Sequence, residues 1–572
     1  MGGCHLKQFQ QSTYWNEANN QKLYYKHIFL FYFIEVHILS KMNLQKYNVY
    51  PSFRPGQEKA ITQMLKSWES GNKIINLNAP TAAGKTLDLY IFGKILEKEY
   101  FVSNILFTSP QVSLIQEGNL FDLPKIVGKH NYECLGISGY TAEDCPFGSR
   151  EPGFARCSEC PYRIAKAAFK KANFRATTFA RYQVDPSLYL ETKVLEVDES
   201  TNLPNALLDS ATIKLNIAVK KTSLAERKEL LKKELSKLDI KDYLNEYSQV
   251  LQKKLKEVTI NCKDVRKDII GANRKLTARE TKMLSKVRKE YSYYRNNLDS
   301  CNQALRYLSL EVPYVLTTDN EEVFNVSTRR KELTVSPYFK LLDCKVPFAD
   351  LVAKLDCVVL ASGTPTTELL TNKAISVDVM HPIPIDRRTI YYDPVGAMTK
   401  DGRFRFAKPM AEKISQLHDM FSEKSIVHCG NYQIANLINE HLCRLQPNVL
   451  VQFPGERNEV LKHWMRLDNA IFLSVAFEQG LNLEGPEYPM NIVAKVPFPN
   501  LGDDWIQARN KYDNYMWYSK TVAIQVQQAC GRTTRTPKDN SMTYILDGSF
   551  GPLLARNKNL FQKWFLDALV IC

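Results

Sequence analysis

Asn78-Ala79-Pro80-Thr81-Ala82-Ala83-Gly84-Lys85-Thr86 is a run of small residues that closes on a glycine, a lysine and a threonine. The segment before it, Lys73 to Leu77, is rich in Ile and Leu and predicts a buried strand. The segment after it, Leu87 to Glu99, has helical spacing. Strand, small-residue loop and helix together form the setting in which backbone N–H groups wrap phosphates at a helix N-terminus. In this reading Ala79, Pro80, Thr81, Ala82, Ala83 and Gly84 form the cradle. Lys85 reaches the β- and γ-phosphates, and the Thr86 hydroxyl ligates Mg²⁺. Ala79 stands where G-x-x-x-x-G-K-[ST] has its first glycine. The stretch predicts a nucleoside triphosphate site on a parallel α/β sheet.

A second motif specifies the chemistry. Val194-Leu195-Glu196-Val197 reads as another strand and runs into Asp198-Glu199-Ser200-Thr201. An acidic pair at a strand's C-terminal end beside a bound phosphate divides its roles. Asp198 holds Mg²⁺ through water, and Glu199 orients and deprotonates the attacking water. The reaction class is phosphoryl transfer to water.

At 572 residues the chain has material for three or four domains. Lys and Arg number 76 against 61 acidic residues, a net charge of +15, which favours a polyanionic partner. The excess is uneven: between Lys220 and Arg295 there are 22 Lys/Arg and 11 Asp/Glu. This segment, typified by Lys228-Glu229-Leu230-Leu231-Lys232-Lys233-Glu234-Leu235, has helical apolar spacing. It predicts either a solvated helical hairpin or a basic helical insertion lining a nucleic-acid path, and the sign of the charge favours the second.

Residues 1–41 are rich in Asn, Gln and aromatics and differ in character from the rest. The apolar run His27 to Leu39 is too short for a membrane span, which needs about twenty residues, and no small-residue cleavage site follows it. These residues are read as an extension outside the fold, with Met42 opening the first domain. With no signal peptide and no membrane-spanning run, an intracellular, cytoplasmic protein without a membrane partner is expected.

The 13 cysteines are too scattered for a disulfide scaffold. Four of them, Cys134, Cys145, Cys157 and Cys160, lie within 27 residues, between the phosphate loop and the acidic pair, among Gly, Pro, Asp and Ser. They predict a metal site. Thiolates suit zinc or an iron–sulfur cluster, and ligand type does not separate the two.

These motifs resemble, from about Tyr50 to the C-terminus and in order, the XPD/DinG branch of superfamily 2 DNA helicases, above all the DinG-like helicases of phages and prokaryotes. The A-P-T-x-x-G-K-T form of the phosphate loop is a helicase variant. Phe53-Arg54-Pro55-Gly56-Gln57 is similar to the R-x-x-Q element, which implies that Gln57 reads adenine. Phe107-Thr108-Ser109-Pro110, with Gln116 beyond, is similar to the strand-end motif, which implies that Thr108 and Gln116 touch the DNA backbone. The cysteine loop falls where this family carries a [4Fe–4S] cluster, which favours iron–sulfur over zinc. Cys160-Pro161-Tyr162 to Ala176-Thr177-Thr178-Phe179 is similar to the exit from that loop, and the basic segment occupies the place of the Arch domain. Leu360-Ala361-Ser362-Gly363-Thr364 resembles the S-[AG]-T motif that couples hydrolysis to movement.

The second motor domain is legible as well. Ser425-Ile426-Val427-His428 reads as a strand leading to Cys429-Gly430-Asn431-Tyr432. Ile471 to Val475 is another strand, leading to Glu478-Gln479-Gly480-Leu481-Asn482-Leu483, and Val496-Pro497-Phe498-Pro499 follows. Gln528-Ala529-Cys530-Gly531-Arg532-Thr533-Thr534-Arg535 matches Q-x-x-G-R-x-x-R. Arg532 and Arg535, three residues apart on one helical face, are expected to cross the cleft and stabilise charge on the γ-phosphate, with Gln528 beside the nucleotide. Two departures stand out. Ser200-Thr201 replaces Ala-His, so a hydroxyl stands where an imidazole is expected, and Gln479 and Asn482 replace two carboxylates of E-G-x-D-L.

The expectation is therefore an α/β protein with two RecA-like parallel-sheet domains. Residues 42–370 form the first, with a metal-cluster loop at 125–180 and an Arch-like helical module at 215–310; residues 371–572 form the second. The resemblance implies an ATP- and Mg²⁺-dependent helicase, acting as a monomer and moving 5′→3′ on single-stranded, forked or tailed DNA. A nucleic-acid-stimulated ATPase that remodels or switches without separating strands, and an RNA-directed helicase, are the competing readings.

Overall fold

The computed structural model describes residues 43–116, 122–135, 138–144, 159–217, 219, 222–270, 277–325, 330–421, 424–454, 456–475, 490–531, 533–534, 536 and 538–572. The expected extension at 1–41, Cys145, Cys157, Gln479, Asn482, Arg532 and Arg535 lie outside the described residues.

Five strands come first: β1 (Ile74–Asn78), β2 (Ile105–Ser109), β3 (Lys125–Ile126), β4 (Phe174–Thr178) and β5 (Val194–Asp198). Three more build a separate antiparallel ladder: β6 (Ile213–Lys214), β7 (Tyr314–Asn325) and β8 (Arg330–Leu341). Then β9 (Cys357–Ser362) and β10 (Ile375–Asp378) return to the first sheet, giving the order β10-β1-β9-β5-β2-β4-β3. All its pairings are parallel. β2, β4, β5 and β9 are buried at every residue, as expected of parallel strands covered by helices on both faces. One face packs Ile75, Leu77, Phe107 and Val359 against the helices Gln57–Glu69 and Lys85–Lys98; the other packs Leu106, Leu195, Val358 and Leu360.

The second sheet contains β11 (Ile390–Gly396), β12 (Ser425–His428), β13 (Val449–Val451), β14 (Ile471–Ser474), β15 (Met490–Val493), β16 (Met542–Asp547) and β17 (Leu569–Ile571). Their order is β13-β14-β12-β15-β16-β11-β17, again all parallel. The expected pair of parallel-sheet layers is present.

The boundaries differ from the expected ones. β10 lies beyond residue 370 yet hydrogen-bonds to β1 through Ile75–Ile375 and its neighbours, so the first sheet extends past that point. β3 and β4 both fall within 125–180 but belong to the sheet; the cysteine-bearing insertion is confined to the chain between β3 and the helix Pro161–Lys171. The basic segment is helical, with helices at Leu224–Leu235, Ile240–Ile270 and Ala278–Ser309. The two long helices form a hairpin whose buried seam includes Leu244, Leu251, Leu298, Cys301 and Tyr307. A full capping box at Thr277 and Glu280 starts the second of them. Lys289 on that helix reaches Asp144 in the cysteine segment at 2.8 Å. No helix among the described residues is long and apolar enough to cross a membrane.

Candidate nucleotide site

β1, β9 and β5 are adjacent in the sheet, so the loops leaving their C-terminal ends lie side by side. Open α/β sheets place their ligands at that edge. The phosphate loop begins at Ala79, whose N–H donates to the Ser362 carbonyl at 3.0 Å. Ala79 is fully buried and is not among the residues with positive φ, so alanine serves where glycine was expected. The left-handed positions come later, at Ala82 (φ 67°) and Gly84 (φ 92°). A side chain at Gly84 would also collide with Gln57 Nε2, 2.5 Å from the added carbon. Gly84 then starts the helix Lys85–Lys98, its carbonyl accepting from the N–H groups of Leu87 and Asp88.

Four side chains meet above this edge. Thr86 Oγ1 donates to Asp198 Oδ2 at 3.1 Å, and Lys85 Nζ lies 3.3 Å from Glu199 Oε1. Glu199 has φ 50°, a left-handed conformation uncommon outside glycine. Its backbone N–H is held by Asp198 Oδ1 at 3.0 Å. Burial, reinforced by the Glu199 carboxylate, pushes the Asp198 carboxyl up to about 6, against the opposing pull of Lys85 and the Thr86 hydrogen bond. A hydroxyl and a buried carboxylate side by side are a hard oxygen donor set, which fits Mg²⁺. Two residues back on the same strand, Glu196 is fully buried, and burial followed by the nearby Asp198 pushes its carboxyl well up.

The Thr201 hydroxyl bridges the acidic loop to the loop after β9. Its Oγ1 lies 2.5 Å from Ser362 Oγ, 3.1 Å from the Thr364 carbonyl and 3.2 Å from Thr364 Oγ1. Gln528 Nε2, on the helix Met516–Cys530 of the second layer, reaches Thr364 Oγ1 at 3.4 Å. A hydroxyl relay therefore runs from the acidic loop to the second sheet, through the residue that replaces the expected histidine. Lys520 on the same helix pairs with Glu368 at 2.6 Å, and the Trp564 indole N–H donates to the Gly363 carbonyl at 3.1 Å. At Gly531 an added carbon would sit 2.6 Å from Thr81 Oγ1, so the residue preceding Arg532 abuts the phosphate loop. Trp564, Lys520 and Glu368 carried no signal in the sequence, because each matters only through a partner brought in by the fold.

Two of the expected contact residues, Thr108 and Gln57, are hydrogen-bonded inside the protein. Thr108 is fully buried in β2, and its hydroxyl donates to the Glu196 carbonyl at 2.8 Å. The Thr108 side chain is thus engaged within the sheet, whose strand β2 is covered on both faces. Gln116 ends the short helix Val112–Gln116, and its side chain lies outside the described residues. Gln57 is fully buried with its amide engaged inside the protein.

Of the cysteine set, Cys134 and Cys160 are described, both partly exposed thiols. The Cys134 N–H donates to the Tyr140 carbonyl, and Cys160 caps the helix Pro161–Lys171. Tyr132 and Tyr162, each two residues from one of these cysteines, meet edge to face with ring centroids 5.4 Å apart, so the two segments adjoin, as a shared thiolate site requires. Among the described residues no group of three or more potential ligands comes together.

Comparison with known proteins follows the same division. The family described as the helicase C-terminal domain matches residues 414–568. No curated protein sequence matches the chain. A solved XPD helicase aligns over 91% of this chain and 100% of its own, with a TM-score of 0.54 at 16% identity. Xpd4 of S. tokodaii aligns over 90% and 99%, with a TM-score of 0.49 at 16% identity. With a match to the helicase C-terminal domain in its second half and a phosphate-loop sheet in its first, the chain shares the fold of a solved XPD helicase.

Proposed function

We propose that this chain hydrolyses ATP and uses the cycle to move 5′→3′ along single-stranded DNA, opening duplex ahead of it. The observation that carries the reading is the convergence of Lys85, Thr86, Asp198 and Glu199 at the ends of neighbouring parallel strands. That edge is joined to the second sheet by Thr364 and Gln528. Lys85 binds phosphate charge, Glu199 takes a proton from the attacking water, and Arg532 and Arg535 act from across the cleft. Mg²⁺, held by Thr86 and Asp198, neutralises the phosphates when bound. The sheet containing β1–β5, β9 and β10 forms one motor domain and the sheet from β11 onward the other. The helical hairpin and the cysteine loop are insertions in the first.

Cys134, Cys145, Cys157 and Cys160 are assigned to one [4Fe–4S] cluster that braces the insertion touching Asp144 and Lys289; zinc is the alternative metal. Binding to the nucleic-acid backbone predominates, so little base preference is expected. The test is the ATPase rate of anaerobically purified protein with and without single-stranded DNA, beside strand displacement on duplexes bearing one tail. DNA stimulation and opening of the 5′-tailed duplex alone are expected. Stimulation without displacement would make the chain a remodeller, opening of the 3′-tailed duplex would reverse the polarity, and stronger activation by RNA would move its substrate.

A further inference from the structure

The R-x-x-Q segment faces the back of the phosphate loop. Gln57 Oε1 accepts the Arg54 backbone N–H at 2.7 Å, and Nε2 donates to Asp88 Oδ1 at 2.9 Å and to the Gly84 carbonyl at 3.3 Å. Both amide protons are thus in use, and the side chain has no exposed surface. The Arg54 guanidinium donates to the Ala82 carbonyl. Ala82 and Gly84 are the loop's left-handed residues. Left-handed turns of this kind send successive N–H groups toward an anion and the carbonyls away from it. Arg54 and Gln57 take up those outward carbonyls, and Asp88, itself fully buried, anchors Gln57 from the helix behind.

We infer that Arg54, Gln57 and Asp88 are positioning residues that brace the phosphate loop in its anion-binding shape. Gln57 therefore leaves the base unread, and the site selects the triphosphate, accepting purine and pyrimidine nucleotides alike. A residue that reads adenine needs a free amide edge toward the cleft. Turning Gln57 outward would remove its bond to the Gly84 carbonyl and leave the buried Asp88 carboxyl without its donor. The inference rests on the triphosphatase reading proposed above.

The test uses the full chain with single-stranded DNA. Steady-state hydrolysis of ATP, GTP, CTP and UTP is expected to give kcat/KM values within about tenfold of one another. An ATP preference above a hundredfold would overturn the inference while leaving the triphosphatase reading intact, whereas hydrolysis of none of the four would overturn that reading itself. Inorganic tripolyphosphate, which has no base, supplies the second measurement. Gln57→Ala is expected to raise its inhibition constant and the KM for ATP by the same factor. A raised KM for ATP with unchanged tripolyphosphate inhibition would identify Gln57 as a base reader. The four-nucleotide comparison needs no variant, so a Gln57→Ala chain that failed to fold would leave the inference testable.

Discussion

Lys85 and Glu199 pair at 3.3 Å, whereas the proposed cycle would use Lys85 on phosphate and Glu199 on water. Removing the carboxylate's charge should therefore act in two directions. Glu199→Gln is expected to slow hydrolysis at least a hundredfold, the usual worth of a general base. It should also tighten nucleotide binding up to about fivefold, since a partly exposed pair contributes at most about 1 kcal/mol. A fluorescent nucleotide titration beside a turnover assay checks both. Thr201 makes a second residue-scale case. Thr201→Val keeps the shape but removes the hydroxyl that reaches Ser362 and Thr364. Basal turnover is expected to stay within a few-fold while stimulation by nucleic acid falls about tenfold, as the ratio of stimulated to basal rate will report. The residues of the phosphate loop and acidic pair were legible because their chemistry is local in sequence. The Thr201 relay was not, since its partners lie 161 and 163 residues away. The burial of Thr108 was not legible either, because a motif string does not say that β2 is covered by helices on both faces.

At the scale of elements, the helix Met516–Cys530 joins the two layers. Lys520 is 2% exposed, whereas Glu368 is largely in solvent. Truncating the partner strands a buried cation, so Glu368→Ala is expected to cost about 1–2 kcal/mol, less than for a fully buried pair because water reaches one side. Lys520→Met replaces the cation with an apolar side chain of similar length and is expected to be nearly neutral; urea unfolding of the two variants measures the asymmetry. The insertion gives a different prediction. The segments beside Cys134 and Cys160 adjoin through Tyr132 and Tyr162, and a thiolate site couples metal binding to local folding. Cys160→Ser should therefore lose iron, measured by metal analysis, and lose strand displacement more than basal ATPase. Strands β1, β5, β12 and β14 were legible from short apolar runs ending in motif residues. β10 and the short β3 were not: burial in β10 is confined to Val377, and β3 has two residues.

Across the whole molecule, the link between the layers passes His381, whose ring lies 5.9 Å from that of Trp564, while Ile383 N–H donates to its Nδ1 at 3.1 Å. Burial, with the nearby Arg388 adding to it, pulls the imidazole down to about 3. The folded protein keeps this ring neutral, whereas the unfolded chain protonates it near 6.5. Stability from this group is thus complete above pH 6.5 and is lost as pH falls through the window toward 3, by about 1.4 kcal/mol per unit once well below 6.5. Denaturant midpoints at pH 7 and 5.5 should differ accordingly, and His381→Asn, which retains an acceptor, should reduce the slope.

The sheet order carries a consequence for how the molecule is made. β1, which holds the phosphate loop, pairs through Ile74 with Val358 on one side and through Ile75 with Ile375 on the other. Both neighbours leave the ribosome long after it. At about 5–20 residues per second, β1 waits on the order of 15–60 s for them. Throughout that interval Ile74, Ile75 and Leu77 have no strand beside them. The hairpin, whose contacts are local, can form meanwhile. A nascent chain ending before β9 has the complete nucleotide motif but no nucleotide site, so ATP cannot help it fold. Chaperones that bind apolar segments have their longest opportunity at this strand, and slow codons ahead of β9 would lengthen the exposure of the protein's most functional stretch.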